Sequence, residues 1–313
     1  MMPKHLTQTF ISCVKWQTDC APQLTEGFFE VLTMYEVLDK KILNEITKML
    51  VIQAPEISRV CKPGQFVMIR VNETGERFPL TVADFDRKKG TVTITFQEVG
   101  KSTKLLGSLN VGDKILDFVG PLGKPSPTDK VYGTVVAIGG GCGSAIVYPV
   151  ARAFKEAGNK LIIINGARTM DLLIYREELE KISDEFYETT DDGTCGTHGF
   201  VTTVLGDLMK QGRKIDLVFA VGPVPMMMFV AKTTEESKIH TLVSLNSIMV
   251  DGTGMCGACR VTVDGQMKFA CVDGPEFDGH KVDFKELMSR LSAYVEQEAV
   301  SNEQWAKEHG SAQ

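Results

Sequence analysis

No block of Lys and Arg interrupts this 313-residue sequence, and its formal net charge is −6. That argues against nucleic acid as the main partner, because a phosphate backbone is met by clustered positive charge. No apolar run approaches the roughly 20 residues needed to span a bilayer, so no membrane partner is expected. There is no internal repeat and no low-complexity segment. The first 33 residues lack a continuous apolar h-region and a small-residue cleavage site, so a secretory signal is not expected and the compartment reads as cytoplasmic. The same stretch, residues 1–33, reads as an unstructured extension or an upstream start wrongly chosen, and its Cys13 and Cys20 are given no role.

What is present is an ordinary globular composition, 43% hydrophobic and 24% charged with 29 glycines. The length exceeds what one core usually supports, so two or three domains are expected. Residues 34–127 hold short runs rich in Val, Ile, Phe and Thr, among them "KMLVIQAP", "GQFVMIRV", "FPLTVADFD", "TVTITFQEV" and "DKILDFVGPLG", separated by turn residues. This spacing predicts a small antiparallel β-barrel, and the alternation in "TVTITF" predicts a strand with one buried face. Residues 128–238 alternate apolar strands with helical spacing: "VYGTVVAIGGG", "SAIVYPVARAFKEAGNK", "LIIING", "DLLIYREELEKI", "IDLVFAVGP". That is the pattern of an α/β parallel-sheet domain covered on both faces. Residues 239–290 form a third, small C-terminal unit with a hairpin whose Asp264-Gly265 suits a type I′ turn. A helix is expected from Asp283, fading into a polar tail over 291–313. The fold class is therefore multi-domain: a β-barrel, an α/β nucleotide-binding domain and a small cysteine-bearing subdomain.

Three of the chain's eight cysteines, Cys256, Cys259 and Cys271, fall in "VDGTGMCGACRVTVDGQMKFAC". A Cys-x2-Cys step lets two thiolates reach one centre from a single turn, and Cys271 returns on the hairpin's second strand. Plant-type 2Fe–2S sites use Cys-x4-Cys-x2-Cys and a distant fourth Cys. Counting back by that spacing lands on Asp251, which makes a carboxylate the candidate fourth ligand. Gly252, Gly254 and Gly257 would let backbone N–H groups approach the sulfides. Zinc remains an alternative, although His240 and His280 stand at no familiar spacing. So does a role for Asp251 as a plain Asp-Gly turn residue, with water, Cys142 or Cys195 completing the site.

"AIGGGCGSAIVYP" joins a strand to a helix, where glycines allow a tight turn and let a pyrophosphate rest on the helix N-terminus. It lacks the Lys-Ser/Thr of a Walker A loop, which disfavours ATP or GTP hydrolysis. "NGART" follows the second strand, where an adenosine ribose would lie, and Arg168 in it could meet a 2′-phosphate, stack on adenine or face water. In "AVGPVPMM", Gly222-Pro223 stands where a nicotinamide could approach. In "RFPLTVADFD", Arg77 could fork a diphosphate and Thr81 could bond an isoalloxazine ring. Gly100-Lys101-Ser102-Thr103 is a polar turn suited to phosphate or ribose.

Arg-x-Pro-Leu-Thr, Gly-Gly-Gly-Cys-Gly and the C-terminal cysteine hairpin, in this order, resemble the ferredoxin–NADP reductase superfamily. Within it the sequence is similar to the branch of electron-transfer subunits of dihydroorotate dehydrogenase and of NADH-dependent ferredoxin:NADP oxidoreductase, the sulfide dehydrogenase type. The likeness runs from Met34 to about Arg290. "SLNSIMVDGTGMCGACRVTVDGQMKFACVDGPEFD" is nearer the NADH-dependent type, which has Asp where the dihydroorotate type has Cys. The resemblance implies FAD contacts at Arg77, Pro79, Leu80, Thr81, Thr95, Phe96, Gln97, Ser102 and Thr103. It implies NAD(H) contacts, with NADP(H) possible, at Gly139, Gly140, Gly141, Gly143, Gly222, Pro223 and Met226, with Arg168 the open site at the ribose. It implies a 2Fe–2S cluster on Asp251, Cys256, Cys259 and Cys271. Related reductases often carry Cys before the Gly-Pro step; this chain has Val221. The implied activity is hydride exchange between NAD(H) and FAD, with single electrons passed through the cluster. The implied partner is a large iron–sulfur flavoprotein subunit, with ferredoxin served through the complex. Two rival functions stay open, the dihydroorotate dehydrogenase electron-transfer subunit and a zinc-stabilised nucleotide-binding module without redox turnover.

Overall fold

The computed structural model describes residues 35–310; the expected extension over 1–33 lies outside them. Seven strands, β1 (Tyr35–Ile42), β2 (Thr47–Gln53), β3 (Phe66–Arg70), β4 (Phe78–Asp86), β5 (Thr91–Gln97), β6 (Lys114–Ile115) and β7 (Asp117–Leu122), form one antiparallel sheet. Its order is β6-β1-β2-β5-β4-β3-β7. The two end strands are separated in sequence by Leu116 alone, so the chain carries one edge round to the other and the sheet is a nearly closed barrel. Val37, Leu50, Ile52, Val67, Ile69, Val92, Ile94 and Phe96 fill it. Two short helices, α1 (Pro55–Val60) and α2 (Lys101–Ser108), sit in its connections; the turn expected at residues 100–103 is the start of α2.

β5 departs from the one-face expectation. Val92, Ile94 and Phe96 point into the barrel as predicted, but Thr95 on the opposite face is also only 4% exposed. The α/β unit covers that outer face locally.

That unit comprises β8 (Thr134–Gly140), α3 (Gly143–Glu156), β9 (Lys160–Ala167), α4 (Arg176–Ile182), β10 (Glu185–Thr190), β11 (Thr197–His198), α5 (Val201–Lys210), β12 (Leu217–Val221), α6 (Val224–Glu235) and β13 (His240–Ser244). The sheet order is β11-β10-β9-β8-β12-β13, parallel throughout, with the later strand β16 (Glu276–Asp278) added antiparallel at the β13 edge. Two strands thus beyond residue 238 complete this sheet. Val135–Ile138 and Leu161–Ile164 are fully buried, as strands covered on both faces must be. The order reverses at β8, and ligands of open α/β sheets bind at such a switch point, beyond the carboxyl ends of the strands.

The stretch "DLLIYREELEKI" is not one helix. A 3-10 turn over Met170–Leu172 leads to Tyr175, whose φ of 56° and ψ of 27° are left-handed, and α4 begins only after it. Between β13 and β16 lie the loop with Asp251 and Cys256, the hairpin β14 (Arg260–Val263) and β15 (Gln266–Phe269), and α7 (Ala270–Asp273). Asp264 and Gly265 have φ of 55° and 69°, as a type I′ turn requires. The chain then forms α8 (Phe284–Leu291) and α9 (Val295–His309). The polar tail expected after 291 is thus helical down to His309. Its Glu, Gln, Ala and Lys residues are good helix formers, and Asn302 ties it to the barrel through Lys104 Nζ at 3.1 Å and the Val99 carbonyl at 3.4 Å.

Candidate functional site

The cysteine loop is built by its own carboxylate. Asp251 Oδ1 accepts from Thr253 N at 2.9 Å, and Oδ2 accepts from Met255 N at 3.1 Å and Cys256 N at 2.9 Å. These N–H donors, Thr253's first, hold its carboxyl below the usual carboxylate range, so it is anionic, as a ligand must be. The bonds also bend the loop so that position 251 lies against Cys256. Cys259 and Cys271 come from the two ends of the hairpin, are buried, and stand 3.2 Å apart, Sγ to Sγ. Burial, then the Cys259 thiol, pushes the Cys271 thiol up to about 12. Cys256 lies exposed on the loop. No group of three or more His, Cys, Asp or Glu side chains converges as a ready metal site among the described residues; the structure brings together one thiol pair and one Asp–Cys loop.

The donor set still suits a soft, sulfide-bearing centre. Two thiols meet in an apolar setting, a third is three positions from the nearer one in sequence, and Gly252, Gly254 and Gly257 all take positive φ. The alternative ligands are engaged elsewhere. Cys142 Sγ points to the Thr95 carbonyl at 3.6 Å, and Cys195 sits between Arg176 and Glu188. His240 packs near the Tyr132 ring, and His280 Nε2 bonds Thr234 Oγ1 at 2.9 Å, so neither serves a zinc site with these thiols.

The Arg-x-Pro-Leu-Thr stretch is Arg77 and the first residues of β4. Phe78 to Thr81 pair with β3 alone, the β5 pairing begins at Val82, and Pro79, Leu80 and Thr81 are only partly buried. A segment unpaired on its β5 side and only partly buried keeps backbone groups and surface to which a flat ring system could be applied. Arg77 Nη2 reaches Asp117 Oδ2 at 3.2 Å and keeps about half its side chain in solvent, which leaves donors free. Asp117 also takes Arg70 Nε at 2.6 Å, and these guanidiniums, Arg70's first, hold its carboxyl low. Ser102 donates to Glu76 Oε2 at 3.1 Å. Thr103 spends its hydroxyl on its own helix start, bonded to Gly100 N and O. Phe96 is 1% exposed inside the barrel, so its expected cofactor contact is limited to its backbone.

The glycine turn lies at the switch point, between β8 and α3. A Cβ at Gly139 would lie 2.7 Å from Ser144 Cα, and one at Gly143 would lie 2.2 Å from the Val221 carbonyl oxygen. Both glycines therefore serve close packing of strand and helix. Gly141, with φ of 56°, is different: a Cβ there meets nothing nearer than Gln97 Nε2 at 3.8 Å. Met226 lies across Gly140 and Gly222 together, its sulfur 2.4 Å and its methyl 2.6 Å from the Cβ positions those residues lack. Pro223 caps the start of α6. Arg168, at the end of β9, is exposed.

Two groups here were not legible beforehand. Ser144 Oγ donates to Asn165 Oδ1 at 2.6 Å, and Asn165 Nδ2 donates to the Ile174 carbonyl at 3.1 Å, all buried. Tyr175 follows and reaches the barrel, its hydroxyl 3.1 Å from Thr95 Oγ1. A strand-end Asn is no signal by itself, and "LLIYREEL" hides its left-handed residue inside a helical pattern.

Comparisons with known proteins agree on the parts. Residues 246–283 match the model of the iron–sulfur cluster binding domain of dihydroorotate dehydrogenase B, and residues 137–232 that of the oxidoreductase NAD-binding domain. The chain is 49% identical to the dihydroorotate dehydrogenase B (NAD(+)) electron transfer subunit homolog of Thermotoga maritima, over 87% of this chain and 98% of that protein. It is 34% identical to the dihydroorotate dehydrogenase B (NAD(+)) electron transfer subunit of Fusobacterium nucleatum, over 69% of this chain and 84% of that one. A chain from the solved NADH-dependent reduced ferredoxin-NADP oxidoreductase superposes with a TM-score of 0.82 at 48% identity, covering 87% of this chain and 98% of that chain.

Proposed function

Because this chain belongs to the family of dihydroorotate dehydrogenase B electron transfer subunits and their homologs, we propose that it exchanges hydride between NAD(H) and FAD and passes single electrons through a 2Fe–2S cluster to or from a partner subunit. Bound here, the cofactors would supply the redox chemistry, and the protein would place and tune them. Arg77, Pro79, Leu80, Thr81, Thr95, Gln97, Ser102 and Thr103, with the Phe96 backbone, would hold FAD. Gly139, Gly140, Gly141 and Gly143 would underlie the dinucleotide's pyrophosphate, with Gly222, Pro223 and Met226 at its reactive end and Arg168 at its adenosine end. Cys256, Cys259 and Cys271, with Asp251, would ligate the cluster.

One observation carries the reading. Met68 of β3 is the register partner of Pro79 in β4, and it shares an apolar core with the thiol-bearing Cys259 and Cys271. The pair assigned to the cluster thus shares its core with β3, the strand paired directly with the one assigned to the flavin. Gln97 beside Gly141 joins the flavin strand's neighbour to the nucleotide turn in the same way.

The partner we propose is a large iron–sulfur flavoprotein subunit that works with ferredoxin and NADP(H). Support comes from the 48% identity to a chain of the NADH-dependent ferredoxin-NADP enzyme and from Asp251 in place of the thiol of the dihydroorotate type. Val250, Met255 and Val272 leave an exposed apolar rim around the cysteine loop, Met255 at 89% exposure, a suitable seat for such a subunit. No helix among the described residues is long and apolar enough to cross a membrane, and the proposed compartment is the cytoplasm.

Anaerobic purification with the native partner tests this. Flavin and iron–sulfur absorption bands, ferredoxin-linked NADP reduction by the complex, and only dye reduction by this chain alone are expected. A colourless zinc protein overturns the redox reading; a pyrimidine-pathway partner instead assigns the chain to the dihydroorotate system. Asp251→Cys should change the cluster's potential, and an unaltered cluster removes Asp251 from the ligand set.

A further inference from the structure

Thr95 is gripped from the α/β unit by two side chains. The Tyr175 hydroxyl shares a hydrogen bond with Thr95 Oγ1 at 3.1 Å, and the Cys142 thiol faces the Thr95 carbonyl at 3.6 Å. Cys142 belongs to the glycine turn, and Thr95 belongs to the strand beside Arg-x-Pro-Leu-Thr. Tyr175 also reaches Met49 Sδ of β2 at 3.6 Å and packs at 5.7 Å, ring to ring, on Tyr148 of α3. Beside it, Arg152 of α3 forks onto Asp84 of β4, at 2.6 and 3.2 Å, while lying over the same Tyr148 ring. Ala83, Ala145 and Ile174 close the seam with Leu43 and Tyr175.

Tyr175 holds this contact from a backbone conformation that bulky residues avoid. Left-handed φ is disfavoured for a residue with a Cβ, and such outliers persist where the surroundings demand them. The demand here is visible. Asn165 pins the Ile174 carbonyl, and Tyr175, in its left-handed conformation, points its own ring at Thr95. Burial pushes the Tyr175 hydroxyl up to about 12, so it stays a neutral hydrogen-bonding group at all working pH values.

We infer that Tyr175 is a positioning residue that sets the separation of the dinucleotide-binding glycine turn from the flavin-bearing barrel by bonding Thr95. The inference rests on the proposed hydride exchange, in which the C4–H bond of NADH breaks and its electron pair forms an N–H bond on the flavin. That transfer depends steeply on distance, and misplacement of about 1 Å can cost about a hundredfold. The bond does not create the cofactor sites; it fixes one against the other.

The test uses the holo chain and three variants, Tyr175→Phe, Thr95→Val and the double substitution. Flavin reduction by NADH is followed in stopped flow, together with the long-wavelength charge-transfer absorption of the nicotinamide–flavin pair. Loss of one neutral hydrogen bond and the resulting looseness should lower the limiting reduction rate by about three- to tenfold in Tyr175→Phe. The charge-transfer band should weaken, while the NADH dissociation constant and the FAD content hold. Thr95→Val, at a residue also assigned to FAD, should lower the rate at least as far, and the double variant should be no worse than Thr95→Val, because Tyr175→Phe then has no bond left to remove. A wild-type rate with an intact charge-transfer band in Tyr175→Phe overturns the inference, as do additive losses. A wild-type chain that binds no flavin, or whose flavin NADH does not reduce, sinks the functional reading itself, and is told apart by the wild-type trace alone.

Discussion

Gly252 is pressed against Met68: a Cβ at Gly252 would lie 2.6 Å from Met68 Cγ and 3.0 Å from a Leu122 methyl. The cysteine loop therefore has no space of its own above the barrel and is fitted directly onto β3 and β7. Since Met68 stands opposite Pro79, this contact fixes how far the proposed cluster stands from the strand proposed to carry the flavin. Redox centres that must exchange electrons gain from such rigidity.

Substituting Gly252→Ala tests the fit. The residue has φ of 77°, and the added methyl meets Met68, so the change should cost about 1–3 kcal/mol. Thermal unfolding of the holo chain should drop accordingly, and iron should be lost faster on dilution. A melt and an iron retention equal to wild type would show that the loop is free to rise from the barrel.

The thiols separate by location. Cys259→Ser and Cys271→Ser should each abolish iron incorporation while leaving bound flavin, because the buried pair at 3.2 Å is the heart of the proposed site and a hydroxyl is a poor soft ligand. Cys195→Ser and Cys142→Ser should keep full iron content, since their sulfurs face Glu188 and Thr95. Iron assay and visible absorption of anaerobically prepared protein decide it.

Glu276 makes stability fall with rising pH. Its carboxyl lies where Gly64 and Ser126 of the barrel side meet β16; one oxygen bonds the Ser126 hydroxyl and the other, Oε2, is buried without a partner. Burial pushes its pKa up to about 7, against about 4.3 in an unfolded chain. The folded state then binds the extra proton between those values, so the stability is whole below about pH 4 and is lost up to about pH 7, by roughly 4 kcal/mol in all. Glu276→Gln should flatten this dependence and melt higher than wild type at pH 8. An unchanged slope in denaturant titrations at pH 5, 6 and 7 would place the ionisation elsewhere.

Much of this architecture was legible because local pattern and tertiary setting agree. β4 spans the residues of "FPLTVADFD", β8 and β9 are the two apolar runs around the glycine turn, and Asp264-Gly265 turns the hairpin as its residue types require. Legibility failed where a distant surface decides. Thr95 alternates as a solvent-facing residue should, and is covered because Tyr175, 80 positions away, reaches it. The helical pattern from Asp171 breaks at Tyr175 for the same reason. Of the glycines in "GGGCG", spacing could not say which face a ligand and which face the protein; that follows from the neighbouring atoms.

That last distinction gives the sharpest test of the nucleotide turn. Gly143 has a protein reason to lack a side chain, since an added Cβ would sit 2.2 Å from the Val221 carbonyl oxygen and 2.6 Å from its carbon. Backbone at the centre of a parallel sheet cannot step aside, so Gly143→Ala should cost about 2–4 kcal/mol by overpacking, visible in denaturation of the chain without any nucleotide. Gly141 has no such neighbour. Gly141→Ala should cost only the left-handed penalty of about 1–2 kcal/mol, leaving a folded chain. Its methyl would project into the space between the turn and Gln97, where the proposed pyrophosphate approaches the backbone, so NADH affinity should fall at least about tenfold, or by about 1.4 kcal/mol, while iron content stays unchanged. If Gly141→Ala binds NADH as wild type does, the open side of this turn is not where the dinucleotide lies, and the glycines serve packing alone.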